Sequence, residues 1–254
     1  MPGMGERALS FGTVAVDYER YRLGYPGELA DAVLAYAGAP VRTALEIGAG
    51  TGKATRVFAA RGIAVTATDP DPAMLAVLCE QVPGVETRQA KLEALRPDRH
   101  YDLVYAAASL HWTEAGRRWE RIAALLAPGG VFASVGGVGR LADPVVEQAV
   151  EAARAPFLDS DDIPPPDDTS PEAEMQWPGT ELEKSALFGD VRQVVLGRRL
   201  TVSADDYVGK LSTVSAYLML PDPVRDQVFQ RIRAVLPDPV DLFADLMLHL
   251  ARRR

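Results

Sequence analysis

Short apolar runs and amphipathic stretches alternate along the first half of the chain. Nearly continuous apolar runs are typical of strands buried on both faces, and apolar residues at helical spacing predict helices. The predicted strands are residues 43–47, 63–68, 85–90, 101–108 and 131–136, and the predicted helices are residues 26–38, 53–61, 71–81 and 114–127. This alternation predicts an α/β fold built on a doubly wound parallel sheet.

The pattern changes after residue 139. Residues 158–180 are acidic and rich in proline, which predicts a loop or lid that is long for a connection inside a compact domain. The surrounding sequence predicts helices at 144–156, 203–213 and 222–236, strand-like sequence at 191–201 and a final strand at 240–250.

Composition narrows the class of protein. The chain has 254 residues, of which 48% are hydrophobic and 24% charged, and its formal net charge is −8. A general nucleic-acid-binding protein normally carries a basic surface, so that class is disfavoured. The run Arg252–Arg254 is predicted to be a solvated tail. No apolar run approaches the ~18 residues that a membrane span needs, so no membrane partner is expected.

The single cysteine and the N-terminal residues bear on the compartment. Cys79 has no partner for an internal disulfide, which fits a reducing compartment. It lies in the predicted helix 71–81 and is expected to be a small core residue. Glu6 and Arg7 come early and without an apolar segment, so no secretory signal is expected. We therefore expect a cytoplasmic protein.

A glycine-rich loop, Gly48-Ala-Gly-Thr-Gly52, follows the first predicted strand. Its spacing differs from that of a phosphate-binding P-loop, and Ala54 stands where such a loop needs a magnesium-binding hydroxyl. In a dinucleotide-binding G-x-G-x-x-G loop the third glycine would come one residue later than Gly52. Because the loop is not a P-loop, Lys53 has no phosphate to bind and is predicted to be the solvent-facing start of the next helix.

Two carboxylates accompany this loop. Glu46 precedes Gly48 by two positions, and Asp69 ends the second predicted strand. An ammonium group near a helix N-terminus meets an unfavourable dipole, which a carboxylate at the strand end would offset. Asp69 is placed to accept hydrogen bonds from ribose hydroxyls. A ligand with an amino-acid end and a ribose end, such as S-adenosylmethionine, fits both carboxylates and needs no phosphate.

Together with later motifs, these segments resemble the class I S-adenosylmethionine-dependent methyltransferases. The resemblance covers about residues 40–136 and is carried by Glu46–Gly52, Asp69, Asp102–Ala108 and Leu126–Gly130. It implies a Rossmann-like, seven-stranded sheet whose last strand is antiparallel, with an N-terminal helical lid and inserted helices near the C-terminal half.

A narrower resemblance, to the trans-aconitate-methyltransferase-like branch of type 11 methyltransferases, lies outside that core. Its motifs use Phe11, Ala15, Tyr18, Arg22, Tyr25 and Pro26, then Ser109–Trp112, Phe188 with Val191, and Asp206–Ser215. Members of this branch act mostly on small molecules. We expect one domain over residues 1–254, divided into a lid with the first helix (1–40), a cofactor-binding core (41–139), a substrate-cap insertion (140–190) and C-terminal strands and helices (191–254).

The resemblance implies which residues bind S-adenosylmethionine. The methionine part would lie along the glycine loop, the ribose on Asp69 and the adenine near the segment after the third strand. The implied cofactor contacts are Tyr18, Arg22, Glu46, Gly48, Ala49, Gly50, Gly52, Asp69, Pro70, Met74, Lys91, Leu92, Glu93, Ala106 and Ala107. Leu92 departs from the small residue that the family often has there, and for Met74 a core position is an equal alternative.

Tyr18, Tyr21, Arg22 and Tyr25 would share one helical face if their segment is a helix, with Arg20 facing solvent. An aromatic face packed on the domain is one interpretation. The resemblance favours a lid from which Tyr18 and Arg22 reach the cofactor carboxylate or the substrate.

His111 is the predicted catalytic residue. It follows the fourth strand at the sheet edge where ligands bind in such folds, and a pKa of about 6.5 suits a general base. A role as a substrate contact stays open, and His100 and His249 are expected to be structural. The predicted substrate-binding residues are Tyr21, Tyr25, Ser109, His111, Trp112 and Arg140.

The predicted activity is methyl transfer from S-adenosylmethionine, with S-adenosylhomocysteine as the product, to an O or N nucleophile of a small molecule, carboxylates included. No metal is expected, and the sequence Ala-Ala-Ala-Ser after the fourth strand lacks the motif of methyltransferases that act on nucleobases. Monomer and homodimer stay open. The alternatives are an S-adenosylmethionine-binding protein with another reaction or an interaction role, and a nicotinamide-dependent oxidoreductase, which the glycine spacing disfavours.

Overall fold

A computed structural model describes residues 10–137 and 139–254, which form two compact units. Of these described residues, the helical unit contains residues 10–23, 137, 139–163 and 197–246, and the sheet unit contains Gly24–Gly136, Pro164–Leu196 and Met247–Arg254. Glu6 and Arg7 lie outside the described residues. The single domain expected from the sequence stays a prediction.

The strands of the described residues follow each other in this order: β1 (Thr43–Ile47), β2 (Ala64–Asp69), β3 (Glu86–Gln89), β4 (Tyr101–Ala107), β5 (Leu126–Gly136), β6 (Arg140–Leu141), β7 (Phe188–Leu196), β8 (Arg199–Val202), β9 (Val240–Phe243) and β10 (Leu246–Arg253).

The α-helices are α1 (Ala15–Tyr21), α2 (Gly27–Ala37), α3 (Thr55–Ala59), α4 (Pro72–Gln81), α5 (Arg118–Leu125), α6 (Pro144–Arg154), α7 (Gly179–Lys184), α8 (Ala204–Ser212), α9 (Ser215–Leu218) and α10 (Asp222–Val235). Short 3₁₀ helices occur at Phe11–Val14, Leu92–Ala94, Leu110–Trp112 and Ala115–Arg117. No helix in these residues is both long and apolar enough to cross a membrane.

A seven-stranded sheet forms the centre of the sheet unit. Its strand order is β3-β2-β1-β4-β5-β10-β7. The neighbouring pairs from β3 to β5 are parallel, whereas β10 runs antiparallel to β5. The strand order reverses between β1 and β4, and in such sheets ligands bind beyond the carboxyl ends of the strands at that point. The predicted fold class is confirmed.

Strands at the centre of this sheet are buried, as their apolar sequences require. Leu45 and Ile47 of β1 pack with Val104 of β4 and Phe132 of β5 in one hydrophobic cluster. Burial of such side chains stabilises the fold by about 1.5–3 kcal/mol each. The sheet is therefore a rigid support for the loops at its edge.

One helix in each unit begins with the same Asp-Pro pair. Asp71 precedes Pro72 and accepts a hydrogen bond from Ala73 N at 2.8 Å, and Asp143 precedes Pro144 and accepts from Val145 N at 2.8 Å. A proline in the first turn has no N–H to leave unsatisfied, and the aspartate satisfies a free amide there. The Asp-Pro pair therefore fixes where α4 and α6 begin.

The helical unit has its own core and its own sheet, which the sequence did not predict. Strands β6, β9 and β8 pair antiparallel in that order. The buried residues Leu141, Tyr207, Leu211, Val228 and Ile232 belong to one cluster that joins this sheet to α8 and α10.

The single strand predicted at 240–250 is wrong, because two strands occupy that segment. At the break, Ala244 N donates to Arg198 O at 2.7 Å, and Asp245 Oδ1 accepts from Arg198 N at 2.7 Å. These bonds turn the chain away from a continuous ladder, so β9 and β10 join different sheets.

The N-terminal segment also differs from its prediction. Helix α1 ends at Tyr21, and Arg22 is extended, with φ −72° and ψ 135°. Tyr25 precedes Pro26, and a residue before proline is disfavoured in the helical region. Tyr25 therefore does not share a helical face with Tyr18 and Tyr21. Arg20 is exposed, as expected.

Three single-residue expectations are wrong. Lys53 is buried, at 9% exposure, because α3 begins only at Thr55 and the turn before it is enclosed. The Arg252–Arg254 run is not a solvated tail, since Arg252 lies in β10 and donates to Tyr36 O at 2.9 Å. Cys79 is exposed, because α4 buries Met74, Leu75 and Leu78 and Cys79 lies at the margin of that face.

The exposure of Cys79 predicts a reactive thiol in the native protein. Since it is the one cysteine in the chain, we expect one equivalent of Ellman's reagent to be consumed without denaturant. The measurement is the absorbance of released thiolate, with Cys79→Ser as the blank. Labelling that needs guanidinium would contradict the placement of this side chain.

Candidate active site

The candidate site lies in the sheet unit, at the carboxyl ends of β1, β2 and β4. The glycine loop leaves β1 after Ile47, Asp69 closes β2, and residues 106–112 follow or end β4. These three segments meet because β1 lies between β2 and β4 in the sheet.

Backbone amides of the glycine loop are used within the protein. Ala49 N donates to Thr68 O at 2.8 Å and Gly52 N donates to Ala49 O at 3.0 Å. Gly50 N donates to Asp69 Oδ2 at 2.9 Å. A phosphate-binding loop instead points successive amides at its ligand, so these three amides do not form a phosphate cradle.

Glu46 lies beneath the loop and is nearly inaccessible, at 1% exposure. Its Oε2 accepts from Thr55 Oγ1 at 2.5 Å and from Tyr105 Oη at 2.8 Å. The strand register puts Glu46 level with Tyr105 on the neighbouring strand, while Thr55 is the first residue of α3. One carboxylate therefore ties β1 to β4 and to the helix that follows the loop.

Burial dominates the ionisation of this carboxyl group. It raises the pKa of Glu46 to about 7, the hydrogen bonds from Thr55 and Tyr105 oppose the shift, and the nearby Asp69 charge adds to it. Burial, followed by Glu46, also raises the pKa of Tyr105 well above its ordinary value. Glu46 thus holds a proton more readily than an ordinary carboxyl group.

Asp69 is placed to accept hydrogen bonds from the loop and from a ligand at the same time. Besides Gly50 N, it accepts from Asp71 N at 2.9 Å through Oδ1, and it is 8% exposed. Burial raises the pKa of Asp69, while the two amide hydrogen bonds lower it. A carboxylate has about four acceptor sites, so two backbone donors leave room for hydroxyl donors.

Glycine occupies the three loop positions for different structural reasons. A Cβ on Gly48 would lie 2.5 Å from Ser109 Cβ, and one on Gly52 would lie 2.9 Å from Leu78 Cγ and 3.2 Å from Val82 Cγ2. On Gly50 the nearest atom would be Met74 Cε, at 3.3 Å. Close packing inside the protein therefore requires glycine at positions 48 and 52, before any ligand is considered.

The residues predicted to lie near the adenine differ in how far they are buried. Leu92 is 2% exposed and belongs to the hydrophobic core, so its side chain is a core residue, and Met74 is also buried. Glu93 Oε1 accepts from Glu114 N at 2.8 Å. Lys91 is exposed and Pro70 is half-buried.

The end of β4 turns sharply. Ala106 is buried, Ala107 is half-buried and Ala108 is exposed with a positive φ of 53°. Such a conformation is strained for a residue with a side chain, and strained residues cluster at functional sites. It turns Ser109 toward β1, where Ser109 Oγ donates to Ile47 O.

His111 and Trp112 follow in a 3₁₀ helix whose first residue, Leu110, is buried in the core. Trp112 N donates to Ser109 O at 3.0 Å, and the His111 and Trp112 rings lie 4.6 Å apart. Both side chains are half-buried. The turn therefore holds His111 next to the end of β4, as predicted from the sequence.

The remaining predicted residues fall in different units. Tyr18, Tyr21, Arg22 and Arg140 belong to the helical unit, whereas Tyr25 belongs to the sheet unit. Arg22 donates to Thr213 Oγ1 and Thr213 O at 2.8 and 2.9 Å, and Arg140 is exposed on β6. Their assignment to cofactor or substrate stays a prediction.

Of the other histidines, His249 is buried in β10, with Nε2 2.9 Å from Gln193 Oε1. Burial lowers the pKa of His249 to about 4, so the ring is neutral and structural. His100 is exposed. In the described part of the chain, no group of three or more His, Cys, Asp or Glu side chains is placed to hold a metal ion.

Sequence reasoning missed Thr55 and Tyr105, the two residues that hold Glu46. The signal for Tyr105 was its position: parallel pairing of the first and fourth predicted strands brings it level with Glu46. Thr55 opens α3, but the predicted helix at 53–61 placed it inside a helix.

Comparison with known proteins agrees with this geometry. Residues 45–132 match the family model described as a methyltransferase domain. An uncharacterized methyltransferase from Mycobacterium tuberculosis is 38% identical over 126 residues, 49% of this chain and 51% of the relative. A trans-aconitate 2-methyltransferase from Methylobacterium nodulans is 37% identical over 98 residues, 37% of this chain and 38% of the relative.

A solved structure agrees over most of the chain. It is described as a type II methyltransferase from Anaeromyxobacter dehalogenans, is 25% identical and has a TM-score of 0.59, with 92% of this chain and 98% of that chain covered. Residues 45–132 thus match a methyltransferase domain, and methyltransferases are among the proteins to which this chain is similar, in agreement with the resemblance seen in the sequence. Trans-aconitate 2-methyltransferases are among its relatives, although the chain spans only about half the length of the Mycobacterium protein.

An alanine at position 48 would be unfavourable for two reasons, the positive φ and the close contact with Ser109. Comparison with Gly62 separates the two effects. Gly48 and Gly62 both have positive φ, 65° and 77°, but a Cβ on Gly62 would meet nothing within 4 Å. We expect Gly62→Ala to cost about 1–2 kcal/mol of unfolding free energy, and Gly48→Ala to cost about 1–3 kcal/mol more from overpacking. Urea unfolding measures both. Equal losses would contradict the close contact with Ser109.

The buried Glu46 predicts a pH dependence of stability. Its pKa is raised from 4.5 in the unfolded chain to about 7 in the fold, so folding takes up a proton between these values and stability falls as pH rises through about 7. The loss amounts to roughly 3 kcal/mol. Glu46→Gln retains an acceptor for Thr55 and Tyr105 but cannot titrate.

The measurement is the unfolding free energy of wild type minus that of Glu46→Gln from pH 5 to pH 8. This subtraction cancels the contribution of His249 to the pH dependence. The lowered pKa of His249 has the opposite effect, because stability is lost as pH falls from about 6.5 toward about 4. We expect the difference to decline as pH rises. A difference that does not change with pH would refute the assigned ionisation of Glu46.

Proposed function

We propose that this protein transfers a methyl group from S-adenosylmethionine to an O or N nucleophile of a small molecule. The observation that carries the proposal is the internal use of the glycine-loop amides, together with two carboxylates at the loop. A dinucleotide would bring a pyrophosphate to a place where Glu46 and Asp69 already lie. A cationic ligand would be attracted there instead.

Glu46 occupies the position where an anionic ligand would be expected. It accepts from Thr55, the first residue of α3, and a helix start favours negative charge. With a protein carboxyl group already next to the helix start, the adjacent space suits an ammonium group better than a phosphate. The amino-acid end of S-adenosylmethionine carries such a group.

Asp69 is the proposed partner of the ribose hydroxyls. Its two backbone donors fix the orientation of the carboxylate, and its remaining acceptor sites face no donor among the described residues. At the end of β4, Ala106 is packed in the core and the small side chain of Ala107 is half-buried. The residues present therefore fit the cofactor that the family uses.

The cofactor supplies an electrophilic methyl group on a sulfonium, which is already a good leaving group. The task of the chain is then to orient the nucleophile in line with that methyl and to keep water out, a positioning effect that can lower the barrier by several kcal/mol, on the order of 7–11 at most. A carboxylate acceptor needs no base. For a phenol or an amine, we propose that His111 accepts the departing proton.

Release of S-adenosylhomocysteine tests the activity directly. The full chain is incubated with S-adenosylmethionine and a panel of small carboxylic acids, phenols and amines, and the product is quantified by mass spectrometry. We expect release that depends on one acceptor class. Binding of S-adenosylmethionine without release for any acceptor would favour a binding protein of the same fold.

The role of His111 is tested by comparing His111→Ala with His100→Ala. With a phenol or amine acceptor, loss of a general base is expected to lower kcat by about 10²–10⁴-fold and to leave the Kd for S-adenosylmethionine unchanged. The exposed His100 lies before β4 and serves as the control, with no expected effect. A weakened cofactor Kd in His111→Ala would indicate a structural role instead.

A further inference from the structure

Arg118 is a buried arginine at the first residue of α5, in the sheet unit. Its side chain is 1% exposed, which is rare for a charged residue unless it is paired. Its Nη1 donates to Glu181 Oε2 on α7 at 3.2 Å, and the same oxygen accepts from Trp119 Nε1 at 2.8 Å. The buried charge is therefore paired within the sheet unit.

Two further hydrogen bonds of this guanidinium go to Thr113, two residues after His111. Its Nε donates to Thr113 Oγ1 at 2.7 Å, and its Nη2 donates to Thr113 O at 2.9 Å. A guanidinium is planar and holds its donors in a fixed geometry. The two bonds therefore fix both the side chain and the carbonyl group of Thr113.

Thr113 in turn closes the 3₁₀ helix Leu110–Trp112. Its N and its Oγ1 both donate to Leu110 O, at 3.1 and 2.7 Å. Leu110 itself is buried in the hydrophobic core. His111 thus lies between one residue anchored in the core and another held by Arg118, so its backbone is fixed from both sides.

Packing alone does not account for an arginine at position 118. Apolar side chains of similar volume are often as stable as a buried ion pair. Such a side chain would fill the same space, but it could not donate to the carbonyl and hydroxyl of Thr113. The bonds to Thr113 therefore point to the geometry of the turn as the role of this residue.

We propose that Arg118 is a positioning residue that orients His111 through Thr113, with Glu181 holding the guanidinium in place. Its catalytic consequence rests on the proposed methyl transfer, whereas the orientation of the His111 ring can be measured without any acceptor. A displacement of about 1 Å in a catalytic group can lower a rate by about 10²-fold. A base on a short turn therefore benefits from a fixed support.

The orientation is tested by NMR of the histidine rings in the full chain, with signals assigned from His111→Ala and His100→Ala. Wild type is compared with Arg118→Lys, Thr113→Val and Arg117→Lys. Arg117 is the matched control, because it is the preceding arginine and is exposed. We expect the first two variants to shift the His111 signals and to leave those of His100 unchanged. Arg117→Lys should shift neither.

Thr113→Val keeps the test decisive if Arg118→Lys fails to fold. It preserves the volume at position 113 and the ion pair of Arg118 with Glu181, but it removes the hydroxyl that joins Arg118 to Leu110 O. If Arg118 were only the counter-ion of Glu181, Thr113→Val would leave the His111 ring as it is in wild type.

Kinetics tests the catalytic consequence. With a phenol or amine acceptor, Arg118→Lys and Thr113→Val should each lower kcat about 10-fold to 10²-fold and leave the Kd for S-adenosylmethionine unchanged. The double variant should lose little more than Arg118→Lys alone, because coupled residues are not additive. A carboxylate acceptor needs no base, so its kcat should not change, whereas a general folding defect would lower kcat for every acceptor.

Two results would overturn the proposal: His111 signals that stay unchanged in both Arg118→Lys and Thr113→Val, or kcat losses that add in the double variant. Failure of the proposed function looks different, because wild type would then release no S-adenosylhomocysteine with any acceptor. Shifted His111 signals would in that case still assign the orientation of the ring to Arg118.

Discussion

The sheet unit depends on two carboxylates that hold the glycine loop from below and from the side. Glu46 ties the end of β1 to Tyr105 on β4 and to Thr55 at the start of α3, and Asp69 ties the end of β2 to Gly50. Removal of one partner from a buried polar network leaves the other unsatisfied, which costs about 1–3 kcal/mol for each group. These two side chains therefore hold together the ends of β1 and β2, Tyr105 of β4 and the start of α3.

The same two carboxylates determine which ligands the edge of the sheet can accept. Their charges oppose each other, which contributes to the raised pKa of Glu46, and a cationic group placed near them would relieve that repulsion. A pyrophosphate would increase it and would find the amides of Ala49, Gly50 and Gly52 already bonded. The structural interactions that fix the loop are therefore the ones that favour an amino-acid ligand over a dinucleotide.

Sequence patterns predicted the parallel sheet well because its strands are short apolar runs that stay buried whatever surrounds them. The glycines, Glu46 and Asp69 were recognisable because their spacing follows directly from strand ends. Features that depend on distant contacts were missed: Arg198 divides the predicted last strand at Ala244 and Asp245. Cys79 is exposed because of the direction in which α4 turns its apolar face, and the small sheet of β6, β8 and β9 arises from pairing between segments far apart in the chain. Residue roles in the helical unit could not be inferred from local pattern, since they rest on packing.

Calorimetric titration of the wild-type chain with S-adenosylmethionine, and separately with NAD, tests the central claim most directly. If the loop and its carboxylates select an amino-acid ligand, S-adenosylmethionine will bind at one site with measurable heat, and NAD will give none. Binding of NAD, or an absence of binding by S-adenosylmethionine, would contradict the account.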